Sequence, residues 1–290
     1  MSSPPAEVCA VVSDLDGTLL RPGGTLGEAT RRAIRSLQEA DVPFLAATGR
    51  SLHGTRETLA SVHDAVALGI TSSGAIGYHP GREEVLWREV LEPSTVEQVV
   101  RALLELAPGA GIAAFDGERW TVTDSYYRVR GLWPSGPVTV VTPAQLAASG
   151  CCALSIADSE LESAALAVGL AGAGVGPEVA TVTYAGSQIL DVVAPAVDKG
   201  YGIRRACELL DLDPAQVVAF GDGPNDLALF RAVGLSVAVA NADPAVLAMA
   251  DLVAESNLEE GVASMLAELG LIDAEITAST PELVGDCIDT

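Results

Sequence analysis

The chain has almost no lysine: among its 16 basic residues Lys199 stands alone, and the others are arginine. Basic charge is scarce altogether, since 39 acidic side chains bring the formal net charge to −23 over 290 residues. Polyanions need a basic patch to bind, so neither nucleic acid nor an anionic membrane surface is an expected partner. Most of the surplus acids read as a solvated surface. No stretch approaches eighteen uninterrupted apolar residues, and no early segment joins a basic start to a long apolar run. A membrane-spanning helix and a secretory leader are therefore not expected, and the expected location is cytoplasmic. The five cysteines (Cys9, Cys151, Cys152, Cys207 and Cys287) are odd in number and lack metal-ligand spacing, so they read as reduced thiols rather than a disulfide framework. The three histidines are scattered too; His53 reads as a surface helix position, the alternative being an approach to a ligand.

What is present is a substantial apolar fraction, 49%, enough to bury a sizeable core in one or two domains. The most telling stretch is Asp14-Leu15-Asp16-Gly17-Thr18-Leu19, which follows the apolar run Cys9 to Val12. A short β-branched run closing on a glycine reads as a buried strand, and open α/β sheets place ligands at such strand ends. Two carboxylates this close require a shared proton or a cation if they are buried; a solvated turn is the other reading. A second apolar run, Phe44 to Ala47, leads into Thr48-Gly49-Arg50-Ser51, where a hydroxyl and the backbone N–H groups of a helix start would cradle an anion. A third, Val217 to Phe220, leads into Gly221-Asp222-Gly223-Pro224-Asn225-Asp226. Lys199 opens a helical pattern, and one lysine in an arginine chain is consistent with a need for a compact ammonium there.

Strands alternate with amphipathic helices. Leu26 to Ala40 has helical spacing and joins the first strand to the second; Ser51 to Ser61 leads to a third strand, Ala65 to Ile70. This βαβαβ order predicts a parallel sheet with right-handed crossovers. After Lys199 come a helix, the Val217 to Phe220 strand, a helix from Asn225 to Val233 and a strand at Leu235 to Val239. Between Tyr78 and Ile189 the pattern changes: strands are predicted at Val85 to Val90, Trp120 to Thr123 and Val138 to Val141, and helices at Ser94 to Leu106, capped by Ser94, and Ser159 to Ala171. The glycines from Gly169 to Gly176 read as a flexible connector. Arg128, Arg130, Tyr126, Tyr127 and Trp133 form the insert's most suggestive cluster, either a substrate contact or ordinary packing.

In this order and spacing the residues resemble the haloacid dehalogenase superfamily of aspartate-nucleophile phosphatases, in its Cof-type subgroup with an α/β (type IIB) cap. The resemblance rests on Asp14 to Leu19, Thr48-Gly49-Arg50, Lys199-Gly200, and Gly221 to Asp226. It implies an α/β fold, a Rossmann-like parallel sheet core with an inserted α+β cap. The boundaries expected are 1–79 and 190–275 for the core, 80–189 for the cap and 276–290 for an acidic C-terminal tail. The chain departs from the family at Ser73, where an asparagine is common; a hydroxyl rotor replaces an amide there.

By resemblance, the chain is expected to hydrolyse a small phosphate monoester such as a sugar phosphate, with Mg²⁺ as cofactor. Asp14 is the expected nucleophile, a carboxylate that needs no base and would form an acyl phosphate. Asp16 would donate a proton to the leaving oxygen and later take one from water, which requires neighbours that favour its protonated form. Mg²⁺, a hard cation that prefers oxygen ligands, is expected on Asp14, Asp222 and the backbone carbonyl of Asp16, with Asp226 supporting its far side. Thr48, Gly49, Lys199 and Asn225 are the expected phosphate-binding residues. Arg50 either reaches substrate or pairs with a core acid. Phosphomutase-type transfer and a non-catalytic phospholigand sensor are the alternatives.

Overall fold

In the computed structural model the strand Ala10–Ser13 is wholly buried and lies inside an eight-stranded sheet. The structure describes residues 8–186 and 188–277; the N-terminal residues Ser2 to Pro5, Cys287 and positions 278–290 of the expected tail lie outside the described residues. The strand order is Leu252–Ala254, Leu235–Val239, Val217–Gly221, Ala10–Ser13, Phe44–Ala47, Val66–Thr71, Ile76–His79 and Glu84–Arg88. The first six pair in parallel and the last two are added antiparallel. Every residue of Ala10–Ser13, Val217–Gly221 and Leu235–Val239 is buried, as strands covered on both faces require, which is why they read as continuous apolar runs. Chain order runs outward from Ala10–Ser13 in both directions, so a crevice opens beside its carboxyl end.

The helix Glu28–Glu39 turns Thr30, Ala33, Ile34 and Leu37 inward at helical spacing. It starts later than its apolar pattern suggested, because Leu26 pairs with Leu20 in a short hairpin. Helix Lys199–Leu210 is capped by Asp198, whose side chain accepts from the Tyr201 N–H. Gly200 lets its first turn press against the neighbouring helical segment, where a Cβ would stand 2.4 Å from the Ala228 carbonyl oxygen. The expected helix from Asn225 to Val233 is instead a 3₁₀ turn, Pro224–Asp226, followed by Leu227–Phe230.

A second sheet of six strands has the order Val138–Val141, Trp120–Thr123, Gly111–Phe115, Ala153–Ala157, Ile189–Val193 and Thr181–Gly186. Helices Pro93–Leu106 and Ser163–Gly172 share an apolar cluster with it that includes Leu103, Ile112, Leu154, Leu166 and Leu190. In another cluster Phe115, Trp120, Tyr126 and Val193 meet Leu52 and Ile76 from the first sheet's side. The boundaries expected at 80 and 189 shift. Glu84–Arg88, taken for an insert strand, pairs with Ile76–His79 in the first sheet, whereas Ile189–Val193 pairs into the second. We therefore place the limits of the cap near 89 and 194. Two smaller shifts have local causes. Helix Pro93–Leu106 begins on Pro93, whose missing N–H and fixed φ suit the first helical position, so Ser94 is not its cap. Helix Ser163–Gly172 absorbs Gly169, leaving a shorter glycine-rich connector. No described helix is long and apolar enough to cross a membrane.

Candidate active site

Ser13 stands opposite Phe220 on one neighbouring strand and Ala46 on the other, so Asp14, Asp222 and Thr48 emerge together at one edge of the sheet. The chain then turns sharply. Gly17 has φ +85° and a Cβ there would stand 2.2 Å from Asp222 Oδ2, so only glycine lets the first loop lie against the second acid. Thr18 Oγ1 donates to Asp222 Oδ1 at 2.8 Å and fixes that carboxylate.

Lys199, 1% exposed, reaches the same point from its helix and donates to Asp14 Oδ1 and Asp226 Oδ1, both at 2.6 Å. Burial alone would lower its pKa, but Asp14 and Asp226 outweigh that and hold it above the usual lysine range. Asp226 is fully engaged: its Oδ2 accepts from the Asp222 and Gly223 N–H groups, each at 3.0 Å. Asp14, Asp222 and Asp226 form a group whose ligand atoms all lie within 4.8 Å of one another. Burial pushes the Asp14 carboxyl up against the opposing pull of Lys199, and pushes Asp222 up to about 6. Three carboxylates facing one ammonium leave two negative charges uncompensated. Hard oxygen donors with that surplus are suited to a divalent cation.

These residues open into a cavity of about 900 Å³. Asp14, Asp16, Thr48, Gly49, Arg50, Asp222 and Asn225 line it from the core, and Trp120, Tyr126, Arg130, Ser155, Tyr184 and Asp191 from the second sheet and its loops. Lys199 and Asp226 lie behind this wall, completely buried. Asp16 is not one of the three clustered acids; its exposed carboxylate is gripped by Arg50, whose Nε donates to Oδ2 at 2.6 Å and Nη2 to Oδ1 at 2.5 Å. Of the two readings of Arg50, the structure has the pairing with a core acid. Thr48 is buried, and its hydroxyl accepts from the Arg50 N–H at 3.1 Å.

Asp191 went unnoticed in the sequence. It sits in the otherwise apolar strand Ile189–Val193, directly opposite Ser155, and accepts from Ser73 Oγ at 3.0 Å. Burial pushes its carboxyl up to about 7 against the hydrogen bonds from Ser73 and Ser155. The available signal was a lone acid in an apolar run, since an acid there is rarely buried without partners. Ser73 thus ties the core to the second sheet, from a left-handed φ of 56°. His53 lies part-exposed on helix Leu52–Thr58 and does not line the cavity: its Nε2 donates to the Glu118 carbonyl at 2.7 Å and its ring packs edge-on against Phe115. The aromatic and basic cluster divides. Tyr126 and Arg130, one turn apart on helix Asp124–Arg130, line the cavity; Tyr127 stacks on Trp133 outside it, and Arg128 pairs with Asp124 on the surface. The thiols of Cys151, Cys152 and Cys207 are pushed up to about 12, 11 and 11 by burial, as core residues rather than nucleophiles.

A family model of the haloacid dehalogenase-like hydrolases matches residues 11–266. A phosphoglycolate phosphatase of Halorubrum lacusprofundi is 29% identical over 257 residues, covering 88% of this chain and 95% of that protein. A phosphoglycolate phosphatase of Methanopyrus kandleri is 51% identical over 73 residues, 25% of this chain and 32% of the relative. This chain spans under half the length of several curated relatives, from 31% to 45%. Among solved structures, a subclass IIB sugar phosphatase superposes with a TM-score of 0.78 at 19% identity, covering 91% of this chain and 99% of that one. The chain belongs to the haloacid dehalogenase-like hydrolases and has the fold of their subclass IIB, Cof-type members.

Proposed function

We propose that this protein is a Mg²⁺-dependent phosphatase that hydrolyses a small phosphate monoester through an aspartyl phosphate on Asp14. The observation that carries the reading is Lys199, buried and clamped between Asp14 and Asp226 beside Asp222. Relatives named as phosphatases of phosphoglycolate and of HMP-PP support the reaction class. Mg²⁺ would be held by Asp14, Asp222 and the Asp16 carbonyl, and when bound it would neutralise charge on the phosphoryl oxygens. Asp226, expected near the metal, has both oxygens committed to Lys199 and to the amides of Asp222 and Gly223, and we assign it to positioning them.

Asp14 Oδ attacks phosphorus, the ester P–O bond breaks, and the leaving oxygen takes a proton from Asp16. Asp16 then accepts a proton from the water that cleaves the acyl phosphate, so one hard displacement becomes two easier ones. To reach the leaving oxygen, Asp16 has to leave the fork of Arg50. The Thr48 hydroxyl, the Gly49 N–H and the Asn225 amide face the cavity and bind the phosphoryl oxygens as their charge redistributes, while the buried ammonium of Lys199 balances charge from behind Asp14. The cap closes over the other side, excludes water and selects the organic part.

The test is release of inorganic phosphate from an aryl phosphate with Mg²⁺. Expected is turnover abolished by EDTA and by Asp14→Asn. Binding of phosphate esters without turnover would instead favour a sensor, and isomerised product with little free phosphate a mutase.

A further inference from the structure

Two arginines line the cavity, and they differ in one respect. Arg50 is occupied by Asp16 and Thr58, whereas the Arg130 side chain forms no hydrogen bond or ion pair among the described residues. Its Nε is buried and without a partner. A buried N–H left unpaired is costly, and such groups in a folded protein call for a reason. Guanidinium presents a planar fork matched to carboxylate and phosphate oxygens.

The electrostatics of the cavity point the same way. The core cations are already engaged: Lys199 by Asp14 and Asp226, Arg50 by Asp16. A substrate with one phosphoryl group is served by the core site alone. The cavity, at about 900 Å³, extends well beyond a phosphate to the cap wall where Arg130 lies near Leu132, Pro134 and Ser135. Asp191 and Ser155, also from the cap, offer that space acceptors for hydroxyl groups rather than a counter-charge for an anion.

We infer that Arg130 is the specificity residue for a second anionic group, a carboxylate or a second phosphate, borne by the leaving group of the phosphate ester. This rests on the proposed phosphatase reading for its reaction but not for its binding, and the two can be separated. Catalytic efficiency is measured for 3-phosphoglycerate, for fructose 1,6-bisphosphate and for glycerol 3-phosphate, whose leaving group is neutral. Dissociation constants for the same three are measured by calorimetry on the Asp14→Asn protein with Mg²⁺ present.

Expected is a preference for 3-phosphoglycerate, fructose 1,6-bisphosphate or both over glycerol 3-phosphate of about tenfold or more, falling to about one in Arg130→Gln and to an intermediate value in Arg130→Lys, which keeps charge without the fork. The carboxylate and bisphosphate arms say which anion is favoured. A wild-type preference near one, or the same preference in Arg130→Gln, overturns the inference whether or not the variant reacts quickly. If the calorimetric preference depends on Arg130 while no ester is hydrolysed, the inference stands and the phosphatase reading falls.

Discussion

The ammonium of Lys199 lies 2.6 Å from the carboxylate of Asp14, although 185 positions separate them in the chain. A single point charge from the chain's one lysine is thereby set against the expected nucleophile in a place closed to solvent. The contact fixes one oxygen of Asp14 and puts positive charge directly behind that carboxylate.

Removing that charge exposes the cost of the acids around it. Lys199→Met leaves Asp14 and Asp226 buried against each other without a counter-charge, and breaking such a pair costs about 3–5 kcal/mol. Urea unfolding at neutral pH should show a loss of that order, shrinking in acid as Asp14, whose carboxyl burial pushes up, takes up its proton. A loss that grew in acid would contradict the charge-balance argument.

Asp191 gives a pH signature of its own. The folded protein holds its proton to about pH 7, whereas an ordinary aspartate loses it near 3.8. The folded pKa is the higher one, so the contribution to stability is complete below the unfolded value and is lost as pH rises through about 7. Asp191→Asn should therefore gain relative stability on going from pH 5 to pH 8, read as the difference in urea midpoint between variant and wild type. A pH-independent difference would mean that Asp191 is not held neutral by its surroundings.

The acidic group should bind cation in competition with protons. Burial holds Asp222 up to about 6 and raises Asp14 as well, so protons compete for Asp222 as pH falls through about 6. Mg²⁺ should raise the melting temperature near pH 7.5, and this effect should fade by about pH 5 and be lost in Asp222→Asn. An equal Mg²⁺ effect at both pH values would place the cation elsewhere.

The clustering of acids and hydroxyl at one sheet edge was legible because three neighbouring parallel strands are apolar runs that lead into residues of unusual chemistry: Val12 before Asp14, Ala47 before Thr48, Phe220 before Asp222. The cap boundary was not, because Glu84–Arg88 joins the first sheet through backbone hydrogen bonds to Ile76–His79, which leave little trace in side-chain pattern. Pairings across the molecule were hidden for a related reason. Arg50 had two plausible partners until Asp16 was seen within reach, and Asp191 gained meaning only from facing Ser73 and Ser155. Arg130 could be separated from Arg128 only once helix Asp124–Arg130 put it on the same side as Tyr126.

The central claim is that Asp14 carries the phosphoryl group, and borohydride trapping tests it most directly. Borohydride reduces an acyl phosphate to an alcohol, so enzyme quenched during turnover of an aryl phosphate should yield a peptide with homoserine at position 14. The account predicts that peptide in wild type and its absence without substrate. Brisk phosphate release with no homoserine at position 14, and with Asp14→Asn still active, would contradict it.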